Sequence, residues 1–89
     1  MTHHQSTALR QRAHRLRRFA EQIECTPAMS LERHATVDTW RGPRPEECLQ
    51  LLHQAQHRIH ETAEELRRHA WLLDQQADEL ELAAAAVLS

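Results

Sequence analysis

Large apolar residues return at every seventh position along the second half of the chain: Leu52, Ile59, Leu66, Leu73, Leu80 and Val87. Alternating with them at the same repeat stand Gln56, Ala63, Ala70, Ala77 and Ala84. A seven-residue repeat of this kind is a helical seam, and alanine at one of its two positions lets the helices approach closely. The first half carries the same device, with Leu9, Leu16 and Ile23 set against Ala13 and Ala20. Between the halves, Asp38-Thr39-Trp40-Arg41-Gly42-Pro43-Arg44-Pro45 holds the only glycine and two of the three prolines, which marks a turn.

The pattern predicts a first helix over about 6–38, a turn over 39–44 and a second helix over about 45–88. Ser6 and Thr7 are N-cap residues for the first helix, and Thr26-Pro27 kinks or breaks it. Pro45-Glu46-Glu47 starts the second helix, with acidic side chains at the positive end of its dipole. Two matching seams joined by one turn make an antiparallel helical hairpin, a single all-α domain over 1–89. A helix of that length runs ~65 Å at 1.5 Å per residue, so one neighbour cannot cover it. Phe19, Leu51, Trp71, Leu72 and Leu82 fall off the seam. A second hairpin completing a four-helix bundle, as a homo- or heterodimer, would cover them.

Composition narrows the class further. One glycine and no tyrosine in 89 residues, with 3% aromatic residues, exclude a β-sandwich or barrel. A single glycine also cannot build a phosphate-cradling loop. Cys25 and Cys48 do not form a disulfide framework or a Cys-x-x-Cys pair.

Charge reinforces the hairpin. Arg10, Arg12, Arg15, Arg17 and Arg18 crowd the start, and Asp74, Asp78, Glu79 and Glu81 crowd the end. Folding at Gly42 brings the blocks level, which sets orientation and register. Eleven basic against thirteen acidic residues give a net charge of -2, which points away from nucleic acid. No apolar stretch reaches the roughly 18 residues of a membrane span. The N-terminus lacks the apolar core of a signal peptide. The protein is expected in the cytoplasm, with any export by a route independent of such a peptide.

Trp40-Arg41-Gly42, mid-chain between two helical tracts, resembles the Trp-X-Gly (WXG-type, hundred-residue, ESX-like) family of type VII secretion, and its actinobacterial members in particular. The resemblance covers essentially the whole chain. It implies a hairpin pairing with itself or a related WXG-type protein, and export through an ATPase-driven machine. It carries over to Trp40 and Gly42, with Pro43 as a common follower. Trp40 would fold its ring over the helix ends, while Gly42 supplies the backbone freedom of the turn. The family's export signal, a Tyr followed four residues later by Asp or Glu, has no counterpart, since the chain has no Tyr and Trp71 is followed at that offset by Gln75. The chain is then the partner of a signal-bearing subunit, or a cytoplasmic chaperone or adaptor for a larger toxin.

A third reading rests on histidine. His53, His57 and His60 share one helical stripe and can approach a metal with Glu61, Glu64 and Cys25; a solvated polar face explains the same residues, and no cofactor is expected. Enzyme chemistry finds no footing, because no Ser or Cys has a nucleophile context and no glycine-rich oxyanion turn exists.

Overall fold

A computed structural model describes residues 2–27, 29, 30 and 45–88. Two long helices, α1 (Thr2–Glu24) and α2 (Pro45–Leu88), pack antiparallel along a rod of 70 × 15 × 14 Å. The predicted turn over 39–44, with Trp40, Gly42 and Pro43, lies outside the described residues.

The first helix begins earlier than its predicted start. It starts at Thr2, so Ser6 and Thr7 are interior residues and not caps. Both hydroxyls donate back to the His3 carbonyl at 2.9 Å, the local bond that replaces capping inside a helix. Ser6 is fully buried, one seven-residue step before Ala13, so it serves as the first small residue of the seam. The helix stops at Glu24, where the sequence placed a break. The Cys25 N–H still reaches the Glu21 carbonyl at 3.0 Å, and the Thr26 hydroxyl donates to the Ile23 carbonyl at 2.9 Å. Pro27 has no N–H to continue the ladder. Helical backbone resumes at Pro27, Met29 and Ser30, with Met29 N–H on the Thr26 carbonyl at 2.9 Å. The remainder of the predicted tract to Asp38 lies outside the described residues.

The core is the seam. Ala13, Ala20, Ala63, Ala70 and Ala77 are wholly enclosed, and Leu73 is 8% exposed. Leu9 and Leu16 pack against Ala13, Ala70 and Leu73 from the side. Ile23, Leu52, Ile59, Leu66 and Leu80 are half-buried. Alanine is enclosed because it lies where the backbones are closest; the larger residues project past the contact and stay partly wet. Val87 is the exception among the predicted seam residues, at 86% exposure. It stands level with His4 in the first turn of α1, a polar residue and not an apolar partner.

Candidate functional site

The functional surface of a hairpin is what its own core leaves over, and here the two sides of the seam differ. On one side, Arg10, Arg17 and Glu24 recur every seven residues along α1 and meet Glu81, Asp74 and Arg67 of α2. In all three pairs the residue numbers total 91, so one register accounts for the whole flank. Arg10 grips Glu81 with both arms of its guanidinium, Nε to Oε1 at 3.3 Å and Nη2 to Oε2 at 2.9 Å, and reaches Asp78 at 2.7 Å. Such a fork-to-carboxylate fit fixes geometry as well as charge. Arg17 donates to Asp74 at 2.6 Å. The arginine and acidic blocks expected to come level therefore do so.

Glu24 and Arg67 form the second half of this flank, with the signs reversed. Arg67 donates to Glu24 and, at 3.1 Å, to Glu64; His60 Nδ1 lies 2.8 Å from the other Glu24 oxygen. The hydrogen bond from Arg67 holds the Glu24 carboxyl below its ordinary value, against an opposing desolvation, with Arg67's charge and the His60 bond adding to it. Arg10 does the same to Glu81. Both arginines are pushed up in return, chiefly by the hydrogen bonds to Glu24 and Glu81. The sequence reading did not foresee Glu24 as this hub. The signal was its place seven residues after Arg17, on the flank that the arginines already marked.

The histidine stripe is divided between separate partners. His57 Nε2 lies 2.8 Å from Glu61, one helical turn on, and His60 lies on Glu24. Cys25 and Cys48 are exposed free thiols. Among the described residues no three His, Cys, Asp or Glu side chains are placed to hold a metal ion.

The opposite flank carries no ion pair among the described residues. Arg12 and Phe19 of α1 and Thr62, His69, Gln76 and Ala83 of α2 all lie exposed there. Phe19 is 57% exposed and Leu72, next to this row, 50%. Leu51, Trp71 and Leu82 are also open to solvent, as their positions off the seam predicted. No helix among the described residues is long and apolar enough to cross a membrane.

No protein-family model, curated protein or solved structure matches this chain. Its functional reading rests on its own residues.

Proposed function

We propose that the chain is a small helical substrate or partner subunit of a type VII (ESX-like) secretion system, working by protein–protein interaction as one half of a four-helix bundle. The observation that carries the reading is the thinness of the hairpin's core. Among the described residues the enclosed side chains are five alanines, one leucine and a serine, while Phe19, Leu51, Trp71, Leu72 and Leu82 stay wet. A buried methyl contributes only about 0.8 kcal/mol, so such a core gains most from a partner that covers the leucines. The link to secretion comes from Trp40-Arg41-Gly42 between the two helices. The absence of tyrosine favours the role of signal-less partner, with the chaperone or adaptor of a larger toxin as the second reading.

The test is co-purification from the native source, followed by secretion with and without the recovered partner. The reading expects a related helical protein in the complex, and export of this chain only when that protein is co-expressed. Export of the chain alone, without lysis, would contradict the signal-less role.

A further inference from the structure

The outer sides of the two helices carry opposite charge. Two residues turn a helix through about 200°, so positions two before or after an enclosed small residue lie across the helix from the seam. On α1, counted from Ser6, Ala13 and Ala20, these are His4, Ala8, Gln11, Arg15, Arg18 and Gln22. All are exposed and none is acidic. Arg12 and the exposed Phe19 border this row on the open flank. The two acids of α1, Glu21 and Glu24, stand four and seven residues after Arg17, on the ion-paired flank. On α2 the same count from Ala63, Ala70 and Ala77 gives Glu61, Glu65 and Glu79 against one cation, Arg68. Arg12, Arg15 and Arg18 make no ion pair among the described residues.

We propose that the outer side of α1 docks the rod flat on an anionic lipid surface, with Arg12, Arg15 and Arg18 on the headgroups and α2 turned to water. This goes beyond the secretion reading, which leaves that side unassigned. Shape and charge together select the occupant. The 23-residue helix is ~34 Å long, and its outer side is a convex ridge. A ridge lies along a plane of headgroups, whereas an extended or helical peptide is held by a sheet edge or a groove. Arginine suits the phosphate groups of such a plane because its planar fork donates two hydrogen bonds at once. Phe19 adds an aromatic ring beside the arginines, as helices lying in the interface do. The net charge of -2 does not oppose the docking. The screening length at physiological salt is about 8 Å, and packed helices lie about 8–10 Å apart. Headgroups beneath α1 therefore feel its arginines more strongly than the acids behind them.

The experiment uses the full purified chain under reducing conditions, with binding read by co-sedimentation and helicity by circular dichroism. The vesicles are phosphatidylcholine, alone or with about one-third phosphatidylglycerol. The chain is expected on the anionic vesicles and not on the neutral ones. It should come off between about 0.1 and about 1 M salt, as the screening length falls from ~10 to ~3 Å. Arg12→Gln, Arg15→Gln and Arg18→Gln combined should weaken binding roughly a hundredfold, at about fivefold per arginine, with helicity kept. Arg15→Glu alone should weaken it by roughly tenfold or more. Arg68→Glu makes the same change of charge on the outer side of α2 and should leave binding within about twofold. In a Cys25→Ser, Cys48→Ser background, a nitroxide at Gln11→Cys should become shielded from a water-soluble relaxation agent on binding. One at Gln75→Cys, two residues before Ala77, should stay open. Failure to bind the anionic vesicles overturns the proposal, as do equal losses from Arg15→Glu and Arg68→Glu, or shielding at Gln75 in place of Gln11. Capture of poly-glutamate without vesicle binding also overturns it, and gives the face to an acidic protein. The secretion reading is tested by its partner and stands or falls separately.

Discussion

The two halves of the ion-paired flank use the same geometry with opposite polarity. Toward the chain ends the cations are on α1 and the acids on α2, as Arg10 with Asp78 and Glu81 and Arg17 with Asp74. Beside the helix break the acid is on α1, Glu24, and the cations are Arg67 and His60 of α2. The inversion matters because the seam itself is degenerate. Leucine and alanine repeat every seven residues, so sliding α1 by one repeat presents the same residue types to the seam again. The charges do not tolerate the slide. One direction brings Arg17 level with Arg67, and the other brings Glu24 level with Asp74. Apolar packing supplies the cohesion and charge selects the register, a division known from helical pairs whose flanking charges set partner and orientation.

Three experiments probe that division. Leu73→Ala should have the largest effect, a loss of about 2–5 kcal/mol at a buried leucine, measured by denaturant unfolding. Because no flank charge changes, the register of the surviving hairpin should stay the same, and a shifted register would refute the separation of roles.

Glu24→Arg should cost less stability but move the chain. It makes the flank of α1 uniformly positive, so sliding by one repeat pairs Arg17 with Glu81 and the new cation with Asp74. Seven residues of helix correspond to an axial shift of about 10 Å. Spin labels on Cys25 and on Gln76→Cys, in a Cys48→Ser background, should therefore come closer. Adding Arg67→Glu should return them to the wild-type distance. Unchanged distances in Glu24→Arg would show that the seam or the connection, and not charge, holds the register.

Acid should have the smallest effect. Glu24 and Glu81 are both held below their ordinary value of 4.5 in the folded chain. Their contribution is complete above that value and is lost as the pH falls through it and below, because the unfolded chain then binds protons more readily than the folded one. Tm should decline with a slope that begins below about pH 5, and Glu24→Gln should flatten it. Equal slopes in the two proteins would mean that Glu24 is not linked to folding.

The hairpin was legible because its signals are local and periodic. The seven-residue repeat named Ala13, Ala20, Ala63, Ala70, Ala77 and Leu73 as interior, and five off-seam residues as exposed. Pro27 announced the break, since an imino nitrogen cannot donate. Ser6 was misread because a hydroxyl near a helix start can cap or bond backward, and only the extra turn from Thr2 decides between them. Val87 was misread because periodicity has no end condition; its exposure depends on what α1 offers at that height.

By itself, then, the sequence determined helix type, seam face and antiparallel sense, each fixed by neighbours a few residues away or by blocks of charge too large to misplace. Tertiary structure alone decided that Glu24 gathers Arg67 and His60, that Arg10 grips Glu81 with both arms, and that one flank is closed while the other is open. Those outcomes depend on the relative height of two helices. A repeat of seven leaves that height free, and only side chains meeting across the seam can fix it.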